Sequence, residues 1–253
     1  MKKQHPTPAH SAVTAGAEVN HQDELPVATA AGTRNLSLAE KRREQICDAA
    51  LELFLQKGFA STTIRDICAR SGVNQASIYD YISNKNDILR LLLNRLWLGS
   101  GAPSLPDLLE QHPENTLKEN VVWYLKEFWS KRRKGTLLAY RTIPHLTQED
   151  RRTMRHRDEE VISRLTNVFQ NLTQLPENDP RTRIIANLVL FMAGFGPFRD
   201  WLHKDLDSDL VADTVAAGIV AMIENLANYS LEQPEPSPGG IAEKAAACPE
   251  CSQ

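Results

Sequence analysis

The chain has 253 residues, 42% of them hydrophobic, and a formal net charge of −3, enough apolar material for one large or two small cored domains. No apolar run approaches the roughly 20 residues of a membrane helix, and four cysteines in so long a chain do not make a disulfide framework. Lys2 and Lys3 have no apolar segment behind them, so no secretory signal is expected and the composition predicts a cytoplasmic protein with no membrane partner.

Residues 1–35 are rich in Ala, Thr, Pro and His without an apolar period, which predicts a disordered tail. Ser37-Leu38-Ala39-Glu40 has the spacing of a capping box, and Ile46, Ala49, Ala50, Leu53 and Phe54 then form one face of an amphipathic helix that Gly58 ends. Thr63 with Asp66 predicts a second capped helix over Ile64 to Ser71, with Ile64, Ile67 and Ala69 against its partner helix. Gly72-Val73 makes the turn, because glycine tolerates the positive φ just past a helix end. A second short helix is expected from Asn74, its cap, anchored by Ile78 and Ile82 and showing Gln75, Ser77 and Tyr79 outward. Asn84-Lys85-Asn86-Asp87 opens a further helix through Leu89, Leu92, Leu93, Leu96 and Trp97. Helix, glycine turn and helix over one small core is the pattern of a helix-turn-helix, which places one helix in a DNA groove. From Arg34 to Trp97 there are ten Lys/Arg against seven Asp/Glu, so a basic head sits on an acidic remainder.

The run from Arg43 to Leu93, with Ala49-Ala50, Phe54, Gly58-Phe59, Thr63, Asp66-Ile67, Ala69, Gly72-Val73, Ile78-Tyr79 and Lys85, resembles the amino-terminal DNA-binding domain of the TetR family of bacterial transcriptional regulators. The end of its second short helix, Tyr79-Asp80-Tyr81-Ile82, departs from the family's usual pattern by an acid at Asp80. The resemblance implies a double-stranded DNA operator as partner. Thr63, Arg65, Tyr79 and Lys85 are then expected to hold phosphates, Asn74 to sit at the same face, and Gln75, Ser77 and Tyr81 to read bases.

Residues 107–232 read as helices throughout. One is expected from Glu114 to Lys134, interrupted at Gly135, with a short helix following to Ile143-Pro144. Thr147 to Asp150 opens a long helix, Asp179-Pro180 opens another running to about Lys204, and Ser208-Asp209 caps the last. Ile185, Leu188, Val189 and Met192, with Val215, Ile219, Met222 and Leu226, are interleaved with alanine and glycine. Such faces predict a homodimer interface, as the resemblance also implies. Trp97, Trp123, Phe128, Tyr140, His145, Phe169, Phe191, Phe195 and Trp201 are the candidate ligand contacts, with Gly194, Gly196 and Pro197 loosening the helix near them. The basic run Lys131 to Lys134 and Arg151, Arg152, Arg155 and Arg157 are most simply solvated faces, with an acidic ligand such as an acyl-CoA phosphate as the alternative.

Residues 233–253 are broken by Pro234, Pro236, Pro238 and Gly239-Gly240, and read as a disordered tail whose Cys248 and Cys251 form an incidental CxxC. No nucleotide-binding glycine loop or hydrolase motif is present, and His156 with Glu159 lacks the second pair of a di-iron bundle, so neither catalysis nor a cofactor or metal is expected. The sequence therefore predicts an all-α chain. Tails occupy 1–35 and 233–253, a helix-turn-helix domain 36–84, a connecting helix and loop 85–106, and a ligand-binding and dimerisation bundle 107–232. Its expected function is a repressor that binds a palindromic operator as a dimer and is released by a small, largely apolar effector. A helical enzyme or metal protein, or a protein-interaction adaptor, is the alternative.

Overall fold

A computed structural model describes residues 24–27, 36–226 and 228. The 233–253 tail with Cys248 and Cys251, and most of the 1–35 tail, lie outside the described residues. Within them the fold is all-α, with no strand.

The helices are α1 (Leu36–Lys57), α2 (Ile64–Ser71), α3 (Lys85–Leu93), α4 (Leu105–Gln111), α5 (Leu117–Thr142), α6 (Gln148–Thr173), α7 (Pro180–Ala193), α8 (Phe195–Arg199) and α9 (Ser208–Asn225). A 3-10 turn covers Ile78–Asp80, a π turn Asn94–Leu98, and a second 3-10 turn Ile143–His145. Helix α1 starts one residue before Ser37, which therefore lies inside the helix instead of capping it. Gly58 (φ 89°) and Gly72 (φ 71°) both take the left-handed conformation that ends α1 and α2.

The head has its own core. Ile46, Ala50 and Phe54 of α1 meet Ile67 of α2, Ile78 and Ile82 of the turn region, and Ile88, Leu89 and Leu92 of α3, all 2% exposed or less. At about 1.5–3 kcal/mol for each large side chain, this burial is what makes so small a bundle stable. Ala69, expected to face inward, is exposed. Leu138 and Ala139 of α5, Leu146, and Met154 of α6 belong to the same cluster, so the head is packed onto the body. Residue Leu25 is also buried there, its backbone N–H donated to Asn94 Oδ1 at 2.8 Å and its carbonyl accepting from Asn94 Nδ2 at 3.0 Å.

A buried charge cluster fastens head to body. Arg90 of α3 donates through Nε to Asp150 Oδ1 at 2.9 Å and pairs with Asp87 Oδ1 at 3.2 Å. Both carboxylates are 2% exposed or less. Asp150 also completes the Thr147 capping box that starts α6.

The body corrects several sequence expectations. Helix α5 runs unbroken through Gly135, because this glycine marks a close approach: a Cβ there would lie 2.2 Å from the carbonyl oxygen of Leu96. The helix from Pro180 stops at Ala193 instead of continuing to Lys204. Trp129 Nε1 donates to the Ala193 carbonyl at 2.8 Å, and its ring fills the space a Cβ on Gly196 would need. Asp207, not Ser208, caps α9 by accepting from the Asp209 and Leu210 N–H groups. Helix α4 straddles the boundary expected at 106/107. A second core joins Val121, Leu125, Leu165, Phe169, Ala186, Val189, Ala216 and Ile219. Phe169, Val189 and Ile219 are thus wholly buried within one subunit, not available to a ligand or a twin, because they face the centre of the α5–α6–α7–α9 packing.

Gly135→Ala is expected to cost about 2–3 kcal/mol and lower the melting temperature by about 4–10 °C, since the clash is with backbone; an unchanged melting curve would show that α5 and the π turn separate freely. Arg90→Met strands two buried carboxylates and is expected to cost about 3–5 kcal/mol in denaturant titration, with the Arg90→Met/Asp150→Asn double variant recovering part of it.

Candidate functional site

The turn between α2 and α3 presents most of the residues expected to meet DNA. Thr63, Arg65, Asn74, Gln75 and Tyr79 are exposed, Tyr79 by 54%. Thr63 caps α2, its hydroxyl accepting from Asp66 N–H at 3.1 Å and donating to Asp66 Oδ2 at 2.8 Å. A bond from Lys57, together with those from Thr63, holds the Asp66 carboxyl well below the usual carboxylate range. The expected second helix is a turn followed by the 3-10 segment Ile78–Asp80. The side chain of Asn74 accepts from Ala76 N–H at 2.8 Å, as expected of a cap, and the Ser77 hydroxyl donates to the Asn74 carbonyl at 3.2 Å. Ile78 and Ile82 anchor this segment and leave Gln75 and Tyr79 outward.

Two expectations change at this face. Lys85 is turned inward, its ammonium donating to the carbonyls of Phe59 and Thr62, both at 2.8 Å, and lying 4.4 Å above the Phe59 ring. Burial pushes its pKa down. Lys85 closes the loop between α1 and α2 and is not available to a phosphate. Tyr81 is half-buried against the head core, and its carbonyl accepts from Arg43 Nε at 3.2 Å.

The body holds a two-lobed cavity whose lobes, about 600 and 690 Å³, share Trp97, Tyr140, Asp158, Ile162 and Asn187. Ala139, Ile143, Leu146, Met154 and Ile184 make the first lobe largely apolar. The second combines Tyr124, Phe128, Leu190 and Phe191 with Arg132, Thr136, Arg157 and Arg164. Of the expected ligand contacts, Trp97, Phe128, Tyr140 and Phe191 line this space. The others do not: Trp123 packs against His112 with ring centres 4.5 Å apart, His145 against Phe59 at 5.3 Å, and Phe195 stacks on His203 at 5.5 Å, while Trp201 is 61% exposed. Gly194 lines the second lobe, but a Cβ there would meet the Phe198 ring at 2.4 Å, so the glycine makes room for packing.

Thr136 and Asp158 carry no signal of their own in the sequence, and Arg132 and Arg157 stand there mainly as solvated faces, with an acidic ligand only as the alternative. Arg132 reaches inward to Ser100 Oγ at 2.7 Å and the Ala102 carbonyl at 3.1 Å, and Arg157 to the Leu98 carbonyl at 3.0 Å. Asp158 lines both lobes and is exposed as a residue, yet the protein crowded around its carboxyl still pushes it up to about 6, against the pull of Arg157 and Arg132. Burial likewise pushes the Tyr124 hydroxyl up to about 12. A solvated basic face therefore describes Arg155, paired with Glu159 at 2.8 Å, but not Arg132 or Arg157. That pairing also occupies the Glu159 considered with His156.

Helices α7 and α9 keep an exposed apolar strip that adjoins the cavity, since Ile184 and Phe191 belong to both. Ile184, Leu188 and Phe191 are 63%, 37% and 56% exposed, and Ala217, Gly218 and Ala221 lie open beside them. Ile185, Met192, Val215 and Met222 are half-buried at its edge, and Leu226 is buried. Cys47 and Cys68 are buried thiols, Cys47 pushed up to about 11 by burial, which leaves it unreactive. No helix of the described residues is long and apolar enough to cross a membrane, and no cluster among them suits a metal ion.

Residues 46–92 match the family model described as bacterial regulatory proteins of the tetR family. The HTH-type transcriptional regulator HbdR of Aromatoleum sp. (strain CIB) is 36% identical over 119 residues, 46% of this chain and 51% of HbdR, so the chain matches about half the length of that curated relative. The HTH-type transcriptional repressor BepR of Brucella suis biovar 1 is 24% identical over 186 residues, covering 70% of this chain and 88% of BepR. The fold is shared with NalD of Pseudomonas aeruginosa, the secondary repressor of the MexAB-OprM multidrug efflux pump, at a TM-score of 0.50 and 22% identity over 74% of this chain and 97% of NalD. A solved chain from P. aeruginosa PAO1 reaches 0.55 at 14% identity, over 76% of this chain and 95% of that one. The capped α2, the Gly72 turn and the Ile78-Tyr79 segment all lie inside the matched residues, so it is this head that carries the likeness to the tetR family of bacterial regulatory proteins.

Proposed function

We propose that this protein is a cytoplasmic, ligand-responsive transcriptional repressor that binds an inverted-repeat operator as a homodimer and releases it when a small molecule fills the body cavity. The observation that carries this reading is the route from cavity to head. Asp158, at the junction of the lobes, lies eight residues along α6 from Asp150, about 12 Å at 1.5 Å per residue. Asp150 grips Arg90 of α3, whose Leu89 and Leu92 pack beneath the turn that carries Gln75 and Tyr79. A ligand preferring one placement of α6 thereby prefers one placement of the head, and it weakens operator binding by its differential affinity for the two.

Two heads are needed because a half-site fits one turn segment, and successive major grooves lie about 34–36 Å apart. The exposed strip of α7 and α9 supplies an apolar face for the twin, with Gly218 allowing close approach: nothing lies within 4 Å of where its Cβ would be. In the bound state Arg65, Thr63 and Tyr79 hold phosphates, and Gln75 and Ser77 reach base edges. Regulation is what HbdR and BepR are named for, and it supports a regulatory reading over a catalytic one.

Selection from random duplex DNA at a stated salt concentration near 0.15 M is expected to enrich an inverted repeat. Tyr79→Ala then weakens binding to all sequences alike, and Gln75→Ala changes preference by about 1–3 kcal/mol at one position; if neither affects binding, the assigned face is wrong. Leu188→Glu is expected to convert the dimer to a monomer in sedimentation without lowering the melting temperature of the subunit, and a dimer that survives it would move the interface elsewhere.

A further inference from the structure

The second lobe is lined by three arginines and three carboxylates, Asp107, Asp158 and Glu160, but two of the guanidiniums are gripped by none of them. Arg164, at its rim, is paired with Asp107 at 2.7 Å and Glu110 at 3.0 Å. Arg132 and Arg157 are different: their bonds go to neutral oxygens of Ser100, Ala102 and Leu98, and neither forms an ion pair among the described residues. Arg157 Nη1 is buried with no partner. So is the hydroxyl of Thr136, a residue 1% exposed and one helical turn beyond Arg132 on the same face of α5. Buried donors without acceptors carry an uncompensated desolvation cost that a bound acceptor removes. A guanidinium fork also suits a carboxylate in shape and charge.

We propose that the molecule this cavity accepts is an amphipathic monoanion, its carboxylate seated between Arg132, Thr136 and Arg157 and its apolar body passing Trp97 and Tyr140 into the first lobe. The assignment rests on the ligand-responsive reading above and names the chemistry of that ligand. Asp158 lines the same lobe and faces Arg132 and Arg157, but it forms no ion pair with either among the described residues, so it takes up no guanidinium donor. A cationic ligand would have to share the second lobe with both guanidiniums. Aromatic walls from Tyr124, Phe128, Tyr140 and Phe191, and lobes of several hundred cubic ångströms, suit a drug-sized molecule with a ring or chain.

The test compares 6-phenylhexanoate, 6-phenylhexanamide and 6-phenylhexylamine by titration calorimetry on the full chain, with operator binding of the same preparation read separately. The carboxylate is expected to bind at least ten-fold tighter than the amide or amine, and Asp158→Asn to tighten it further. Thr136→Val removes only an unpaired hydroxyl, so it should leave the unliganded melting temperature unchanged or higher while weakening the carboxylate three- to ten-fold. Arg157→Gln should abolish the preference for carboxylate over amide; should that variant fail to fold, Thr136→Val still decides. Equal binding of the three probes, tighter binding of the amine, or no binding of any while the operator is still bound overturns the anionic assignment and leaves the regulator standing. Carboxylate preference in a preparation that selects no operator supports the anion site and overturns the regulator reading beneath it.

Discussion

The guanidinium of Arg90, clamped between Asp87 and Asp150, is the interaction that makes head and body one object. Both carboxylates are almost wholly out of solvent, and each has a second task. Asp87 accepts from Asn84, the residue that caps α3, at 2.8 Å, and Asp150 accepts from the Thr147 N–H at 3.2 Å as part of the box that starts α6. The first turns of two helices are therefore fixed to each other through one side chain. Such buried pairs add little net stability compared with well-packed apolar groups, but breaking one leaves a stranded charge. Their value lies in geometry: a fork on two carboxylates has one good register, so α6 cannot slide along α3 without losing it.

Close backbone approach sets the second constraint. The π turn Asn94–Leu98 lies against α5 where Gly135 has no side chain, and the same turn holds Leu25 through Asn94. Its Gly99 N–H closes onto the Asn94 carbonyl at 2.6 Å, and the Leu98 carbonyl accepts from Arg157. Trp97 from this turn walls both lobes of the cavity. A glycine that looked like a helix break in the sequence is thus what allows α5 to run straight past the junction.

Much of the head was legible because its signals are local. The Thr63 box, the left-handed Gly58 and Gly72, and the apolar faces of α1 and α3 each depend on residues within a few positions of one another. The second short helix was legible in its cap, Asn74, and its anchors, Ile78 and Ile82, but not in its form, a turn followed by a 3-10 segment. The cavity was half legible. Trp97, Phe128, Tyr140 and Phe191 stood out as aromatics, but aromatics also pack on one another, as Trp123 does on His112. Arg132 was hidden by the basic run Lys131 to Lys134, although it falls on the buried stripe Val121, Leu125, Phe128, Arg132, Thr136 and Ala139 of α5. Arg157 falls in the same way between Met154, Val161 and Leu165 of α6. The signal was periodicity read through charge: a cation on an apolar stripe is a stronger pointer to function than a cluster of cations in sequence.

These two constraints meet at Arg157. Its guanidinium holds the π turn through Leu98 with one nitrogen and leaves another buried without a partner. Any group that satisfies the free nitrogen also acts on the one that braces the turn, because a planar fork moves as a unit. The turn continues directly from α3, whose Arg90 is tied to the start of α6. Cavity, π turn, α3 and α6 therefore close a mechanical loop in which α6 appears twice, once at Asp150 and once at Arg157. A shift of α6 small enough to keep the Arg90 fork intact therefore bears on the π turn, through the bond from Arg157 to the Leu98 carbonyl. On the function proposed here, a ligand in the second lobe acts on the head through this loop.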